Sequence, residues 1–439
     1  MSTSAQRAGD GEPRFRDSLR QLPSTVWIIS LGILVNRIGN FLPVFMVLYL
    51  TSQNFSPAAA GLVLGAAGLG NVLGNALGGY LADRLGRRWT IVLSMVATAG
   101  LTAGIPLFDT LPVLIALAGL AGTAAQVYRP AASALLVDAT TTTQQRLAAF
   151  AVHRFAMNIG AAIGGVLGGV LATVSYVGLF LGNAVACLLL AAIAAGLLRD
   201  VVHAGSDAGQ GHGPGSAEPE PSYRQALADR RLRRFLVMTL IAEFIYIQST
   251  VGLPLHVSAI GLSPASFGLL MGLNGLLVML LELPITSAVS RRRPEPVLAV
   301  GNLLTGVGLA LTVVANDMLW LAATVLLWTL GEMLYASMAN AYLGGLVPPA
   351  MGGRYQGLYG AAITLGTGVG PLIGGAVYAY REWALWVVCA VGGVVSAQLC
   401  LPRRSRSSPV AAPGSERVGS GSRRSRDETE ASGPGTGGQ

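Results

Sequence analysis

The stretch GGYLADRLGRRWT, Gly78–Thr90, places one carboxylate and three arginines between two long apolar segments. Charge is scarce in the chain as a whole: of 439 residues, 11% are charged and 52% are hydrophobic, and the mean hydropathy is +0.58. Soluble domains carry about 25% charged residues. The composition therefore indicates a membrane protein.

About twelve apolar segments are long enough to cross a hydrocarbon core, which takes about 20 helical residues. Several contain glycine or proline, which membrane helices tolerate. We therefore predict an all-α membrane protein with twelve transmembrane helices. In chain order, the predicted spans 1 to 12 are Trp27–Tyr49, Ala58–Leu81, Trp89–Phe108, Leu111–Val127, Leu147–Val174, Tyr176–Leu198, Phe235–Leu255, Phe267–Val289, Val297–Ala315, Leu319–Val347, Tyr355–Tyr380 and Trp383–Leu401.

Arginine is placed in the N-terminal tail and in every second segment between spans. The intervening segments, such as TSQNFSP after span 1, are nearly uncharged, with Arg381 as the exception. Basic residues of short loops stay on the cytoplasmic side of a plasma membrane, so we expect both termini to be cytoplasmic. The arginines concerned are Arg7, Arg14, Arg16, Arg20, Arg84–Arg88, Arg146, Arg230–Arg234, Arg291–Arg293, Arg354 and Arg403–Arg406.

A segment rich in Gly, Ser, Pro and acidic residues, Val201–Tyr223, is typical of a flexible linker and divides the spans six and six. The predicted division is a cytoplasmic tail 1–25, a six-helix bundle 26–199, a cytoplasmic linker 200–234, a second bundle 235–401 and a disordered cytoplasmic tail 402–439. We expect the arginines of this last tail to contact anionic lipid headgroups. No nucleic-acid partner is expected, because the positive charges lie where orientation requires them.

Two predicted helices half a chain apart share a glycine frame. Span 5 contains GAAIGG, Gly160–Gly165, and span 11 contains GPLIGG, Gly370–Gly375. Small residues at this spacing let helices approach closely, and packing alone is one explanation. The matched positions also favour a duplicated architecture with a central site, as in secondary transporters. The predicted helix-packing residues are Gly160, Gly164, Gly165, Gly366, Gly370, Pro371, Gly374 and Gly375.

The charged loop resembles the signature G-x-L-A-D-R-x-G-R-R/K of the major facilitator superfamily, in its usual place between spans 2 and 3. The resemblance covers about Trp27–Leu401 and implies two pseudo-symmetric six-helix bundles. In span 11, GTGVGPLIGG matches the antiporter motif of the family's drug:proton exporters, where it belongs to the fifth helix; this chain has Ala161 there in place of the proline. YRPAASALLVDA, after the predicted span 4, and TLGEMLYASMANA, in span 10, also resemble bacterial exporters. The matching loop residues are Gly79, Leu81, Ala82, Asp83, Arg84, Gly86, Arg87 and Arg88.

The resemblance implies a cytoplasmic gate in this loop. Asp83 would lie at the N-terminus of helix 11, where the macrodipole favours an anion by about 0.3–1 kcal/mol. Arg87 is expected to pair with Asp138, while Gly79 and Gly86 permit a close approach and a tight turn. Together they would latch the two halves in the outward-open state; the alternative is a simple orientation signal. The predicted gate residues are Gly79, Asp83, Arg84, Gly86, Arg87, Arg88, Arg129, Asp138 and Arg154.

Four charged residues, Arg37, Glu243, Glu282 and Glu332, are singled out because an ionisable residue near a helix centre costs about 2.5–3.5 kcal/mol. Burial raises the pKa of a carboxyl group and a nearby cation lowers it, so alternating exposure provides a route to proton exchange. We hypothesise that Glu332 or Glu243 carries the proton and that Arg37 modulates it. The alternative is a permanent Arg–Glu pair that holds helices together, and Glu282 is expected to be structural or part of the entrance. The predicted cavity residues are Glu332, Glu243, Arg37, Asn36, Asn40, Gln248, Asn274 and Glu282.

These features predict a secondary transporter of the plasma membrane that exports amphipathic small molecules in exchange for protons by alternating access. Proton-coupled uptake of a nutrient and a non-transporting sensor are the alternatives. An enzyme is not expected because the four histidines are scattered, and ATP-driven transport is not expected because the chain lacks the lysine of a P-loop. We expect a monomer without cofactor or metal. Packing is the expected role of Cys187, Cys389 and Cys400.

Overall fold

The computed structural model describes residues 21–40, 42–198, 223–348 and 351–401. Twelve helical segments in these ranges are long and apolar enough to cross a membrane, which confirms the predicted all-α fold. The predicted linker and tails lie largely outside the described residues, although Tyr223–Ala228 forms a short helix. In chain order, spans 1 to 12 are Ser24–Ser52, Pro57–Leu85, Arg87–Leu107, Leu111–Asp138, Gln144–Val174, Tyr176–Leu197, Arg230–Ala259, Pro264–Val289, Pro294–Val314, Met318–Leu346, Arg354–Tyr380 and Glu382–Cys400.

Spans 1 and 7 are interrupted at corresponding positions. Span 1 consists of helices Ser24–Ile38 and Leu42–Ser52, while span 7 passes from an α-helix into a 3-10 turn at Ile247–Ser249. The cause lies just beyond each break, where Pro43 and Pro254 cannot donate an N–H to the carbonyl four residues earlier. Irregular backbone at membrane depth is tolerated where it lines a cavity, so both breaks mark a candidate site.

The two halves repeat one packing plan. In the first, span 1 packs against spans 5 and 6, span 2 against span 4, and span 3 against spans 4 and 6. In the second, span 7 packs against spans 11 and 12, span 8 against span 10, and span 9 against spans 10 and 12. This correspondence shows the two pseudo-symmetric six-helix bundles that the sequence predicts. The bundles meet where span 2 packs on span 11 and span 5 on span 8.

The bundles are closed together at one end, here called the arginine-poor end, which carries the loops Gln53–Ser56 and Gly261–Ser263. Span 2 meets span 11 through glycines: a Cβ on Gly68 would lie 2.6 Å from the Cα of Gly368. Phe45 of span 1 also packs edge-on against Phe267 of span 8, with ring centroids 5.5 Å apart. The interface between the halves is therefore tightest at this end.

The opposite, arginine-rich end carries the loop at Arg84–Arg88. Here Gly79 of span 2 and Gly360 of span 11 have no neighbouring atom within 4 Å of where a Cβ would lie. Spans 2 and 11 therefore separate toward the arginine-rich end. The close approach expected for Gly79 is therefore not made in this conformation.

The glycine frames of spans 5 and 11 pack mainly against the first span of their own half. A Cβ on Gly164 would lie 2.8 Å from the carbonyl oxygen of Arg37, and one on Gly366 would lie 2.6 Å from the Cβ of Glu243. Gly160 likewise contacts Arg37, as Gly370 contacts Ile247. The frames therefore position the charged and cavity-lining parts of spans 1 and 7. Gly165 and Gly375 instead face spans 8 and 2 of the other half.

Candidate functional site

A cavity of about 300 Å³ lies between spans of the first half, and spans 7 and 11 complete its wall. Its volume lies at the lower end of the range for small-molecule pockets, about 300–1,000 Å³. Apolar side chains, among them Met46, Val63, Leu64 and Met95, form one part of the lining. The polar and charged part consists of Asn36, Arg37, Asn40, Asn71, Thr98, Thr102, Gln126, Tyr128, Arg129, Asn183, Thr250 and Thr367.

Two arginines line this cavity. Arg37 lies there as predicted, and its Nε atom is buried without a hydrogen-bond partner among the described residues. The predicted position of Arg129, beyond the end of span 4, is wrong: it lies within span 4 and lines the cavity, while its predicted gate role stays a prediction. Span 4 continues to Asp138. Its charged residues can stay on a helix because Arg129 faces the cavity and Asp138 pairs with Arg87 of span 3. His153 lies within electrostatic reach of both arginines.

Two of the membrane-embedded carboxylates, Glu243 and Glu332, form a separate cluster in the second half. The amide of Asn274 donates to Glu332 Oε2 and to Thr329 Oγ1, each at 3.0 Å. The Tyr246 hydroxyl lies within reach of the Glu332 carboxylate, and Glu243 lies within its electrostatic reach. Spans 7, 8 and 10 therefore converge on Glu332. Ionising both carboxylates in such poorly hydrated surroundings is costly, so the pair is suited to hold and release a proton.

Arg37 is not beside this carboxylate cluster. Its electrostatic neighbours are Tyr128 and Arg129, whereas Glu243 neighbours Glu332. In this conformation Arg37 therefore neither neighbours the proposed proton site nor forms a brace with Glu243 or Glu332.

Two further predicted cavity residues occupy other places. Gln248 is fully buried against span 11 and donates to the carbonyl of Gly370 at 3.2 Å, so it joins helices and does not line the cavity. Glu282 pairs with Arg154, which links spans 8 and 5 toward the arginine-rich end. This pair joins the two halves, and whether Glu282 is structural or part of the entrance stays a prediction.

The charged loop has a defined geometry. Gly86 adopts φ +80°, a left-handed conformation that favours glycine, so it supplies the predicted tight turn. Arg87 pairs with Asp138 and also donates to the carbonyl of Ala134 at 3.1 Å, which fixes the loop to span 4. Arg88 donates to the carbonyl of Ala195 on span 6. These contacts lie within the first half and anchor the loop there.

Asp83 is exposed in this conformation. Its contact with helix 11 stays a prediction for the outward-open state. We predict that Asp83→Asn inserts with the wild-type topology but transports more slowly, because an amide loses most of the favourable interaction with the helix terminus. Sided protease digestion measures topology, and flux in vesicles measures transport. The matched control is Asp109→Asn in an exposed loop at the other end. Wild-type flux in Asp83→Asn would leave the loop with an orientation role only.

His256 is buried, and its hydrogen-bond partners cannot be derived from the sequence. Its Nε2 lies 2.9 Å from the carbonyl oxygen of Ala315, to which it must donate, and its Nδ1 lies 2.7 Å from Glu382 Oε1. A hydrogen bond at Nδ1 then requires one more proton on either His256 or Glu382. These contacts join spans 7 and 12 to the residue that follows span 9, at the arginine-poor end. No local pattern links a histidine to a carboxylate so distant in the chain.

The geometry agrees with the comparisons with known proteins. A family model described as Major Facilitator Superfamily matches residues 29–294 and 250–426. The chain belongs to the major facilitator superfamily. Among similar members of this superfamily is the MFS-type transporter YqjV of Bacillus subtilis (strain 168), 28% identical over 360 residues, with 80% of this chain and 85% of the relative covered.

A second relative and two solved structures extend this superfamily assignment. The Na(+), Li(+), K(+)/H(+) antiporter of Planococcus maritimus is 23% identical over 359 residues, covering 75% of this chain and 83% of the relative. A mutant of the peptide transporter POT matches with TM-score 0.72 and 15% identity, covering 89% of this chain and 98% of that structure. A mutant of the nucleoside transporter NupG matches with TM-score 0.66 and 17% identity, covering 88% and 99%. At this identity the two structures show a shared fold. The chain is thus a multi-pass membrane protein and a secondary transporter of the superfamily.

Proposed function

We propose that this superfamily member exports amphipathic small molecules from the cell in exchange for protons. The observation that carries the proposal is the carboxylate pair Glu243 and Glu332 at membrane depth, where Asn274 and Tyr246 contact Glu332, in a chain whose spans 2 and 11 approach closely at one end and separate toward the other. A titratable pair at this depth costs free energy, and ionisable residues that are kept there usually serve transport or pair with one another. It gives the transport cycle a place to carry a proton.

Orientation decides which side this conformation faces. The arginine-rich end is proposed to be cytoplasmic and to contain both termini, in accord with the distribution of basic residues in short loops. Spans 2 and 11 separate toward that end, so the conformation is proposed to be inward-facing. The substrate would enter the cavity from the cytoplasm. A proton that Glu332 has taken up from the outside would be released to the cytoplasm.

Exchange, as opposed to simple uptake, is supported by two observations. The glycine frame of span 11 includes Pro371 and matches the antiporter motif, and one relative is named as an antiporter of monovalent cations and protons. The outward-open state would then require the contacts near Gly68 and Gly368 to separate while the halves close at the arginine-rich end. Asp83 would contact helix 11 in that state.

An everted-vesicle assay tests the proposal. Respiration acidifies the vesicle interior, and a panel of amphipathic drugs, both cationic and anionic, is added while the pH gradient is monitored. A proton exchanger dissipates part of the gradient when a substrate is added, whereas vesicles without the chain do not respond. Absence of any response, combined with proton-coupled accumulation of a nutrient by intact cells, would replace export by uptake.

A further inference from the structure

We propose that Arg37 and Arg129 bind an anionic group of the transported molecule, so that the substrate is an amphipathic organic anion. This inference rests on the proposed transport function and specifies its substrate class. The anionic group is a carboxylate, sulfonate or phosphate, and the apolar part of the molecule lies against the methionines and aliphatic side chains of the same cavity.

The cavity presents cationic side chains without acidic partners. Arg37 and Arg129 both line it, and none of its lining residues is acidic. Neither arginine forms an ion pair with another described residue, unlike Arg87, Arg154 and His256. The buried Nε of Arg37 also has no hydrogen-bond partner there. Arg37 and Arg129 line one cavity within electrostatic reach of each other, so their like charges repel, and an anion bound between them offsets that repulsion.

The fold itself does not require a cation at this position. Gly160 of span 5 contacts Arg37, and the corresponding glycine of span 11, Gly370, contacts Ile247. The two glycines are as far apart in the chain as Arg37 and Ile247 are, so Arg37 and Ile247 occupy equivalent positions in the two halves. An apolar side chain therefore satisfies the equivalent packing. An arginine at membrane depth is costly, and packing alone does not explain it. Binding of an anionic ligand does.

The remaining lining residues define the rest of the ligand. Asn40 and Gln126 add amide donors near the arginines, while Met46, Val63 and Leu64 provide an apolar wall. A planar guanidinium suits the paired oxygens of a carboxylate or phosphate. A volume of about 300 Å³ accommodates one or two aromatic rings with one such group.

The anion site and the proton site are on opposite halves. The arginines belong to spans 1 and 4, and Glu332 belongs to span 10. Each cycle would therefore move a negative charge outward and a proton inward without direct competition for a single carboxylate. A cationic substrate, in contrast, would be repelled from the arginines.

Binding of matched probes to the full-length protein in lipid nanodiscs tests the inference. 1-Naphthoate and its uncharged amide, 1-naphthamide, have nearly the same shape. We expect wild type to bind the naphthoate and to bind the amide at least about tenfold more weakly, because the amide lacks the charge-assisted contact. Arg37→Gln and Arg129→Gln should each weaken naphthoate binding by about tenfold or more, and Arg37→Lys should restore part of it.

Controls separate a specific site from general charge. Arg146→Gln removes an exposed arginine of the same half and should bind naphthoate as wild type does. Unfolding midpoints without probe verify that each variant is folded. Equal binding of naphthoate and naphthamide, or equal losses in Arg146→Gln and Arg37→Gln, would overturn the inference. So would the failure of 1-naphthoate, naphthalene-1-sulfonate and 1-naphthyl phosphate all to bind.

Failure of the anion site is distinguishable from failure of proton exchange. If everted vesicles respond to cationic drugs and the response survives in Arg37→Gln and Arg129→Gln, the chain exchanges protons and the anion inference is wrong. If naphthoate binding depends on both arginines but no substrate moves protons, the anion site stands and the exchange mechanism fails.

Discussion

Glu332→Gln is expected to reduce proton-driven transport to the background of vesicles without the chain. Glutamine keeps the size of the side chain and still accepts the hydrogen bond from Asn274, but it cannot bind and release a proton at the pH of the cell. The local contacts between spans 8 and 10 should therefore remain while the coupling is lost. Dissipation of a pH gradient on substrate addition measures this effect in everted vesicles.

Substrate exchange without a gradient provides the internal control. Glu332→Gln should still exchange labelled for unlabelled substrate across the vesicle membrane, because the movement of the substrate-loaded transporter between its two conformations needs no change in protonation. Glu243→Gln is expected to retain part of the coupling, since Glu243 neighbours Glu332 but lacks its contact with Asn274. Asp109→Asn, in an exposed loop, should behave as wild type. Intact coupling in the Glu332 and Glu243 double variant would show that neither carboxylate carries the proton.

Gly61→Val is expected to abolish transport by preventing closure of the arginine-poor end. A Cβ on Gly61 would collide with the carbonyl oxygen of Pro371 and lie 3.2 Å from the Cα of Gly375. Both obstacles are backbone atoms and cannot rotate away, so spans 2 and 11 must move apart. The cavity should then stay open to the outside.

Sided labelling distinguishes this effect from misfolding. A cysteine placed at Thr250, which lines the cavity, should react faster with an impermeant maleimide applied outside intact cells when Gly61→Val is present. The native cysteines are replaced in this background. Gly100→Val is the matched control, because a Cβ on Gly100 meets no atom within 4 Å. Wild-type flux and labelling in Gly61→Val would mean that the close glycine contact is not required for the cycle.

Much of the fold follows from local sequence. Hydrophobic length gives the twelve spans because the thickness of a bilayer fixes the length of a helix that crosses it. The largest error in their bounds, at span 4, has a simple cause. A charged residue ends an apolar run in the sequence, but Arg129 lies on a helical turn that faces a cavity, so the helix continues past it to Asp138.

The candidate site was harder to derive, because it depends on which helix faces meet. Local pattern identifies Arg37, Glu243 and Glu332 as costly residues in the membrane, but it does not say which groups lie beside each of them. Arg37 lies near Arg129 and away from Glu332, since spans 1 and 4 belong to one bundle and span 10 to the other. The roles of Gln248 and His256 in joining helices follow only from their partners on spans 11 and 12.

The sequence by itself determined the twelve spans, their division six and six, the charged loop and the superfamily resemblance, because each depends on composition or spacing within a short stretch. Only the tertiary structure decided that the halves close at the arginine-poor end, that two arginines share a cavity and that two carboxylates share the opposite half. These facts depend on the rotation and separation of helices far apart in the chain. Small residues such as Gly68 permit a close approach, but the partner helix and the conformational state decide whether it is made.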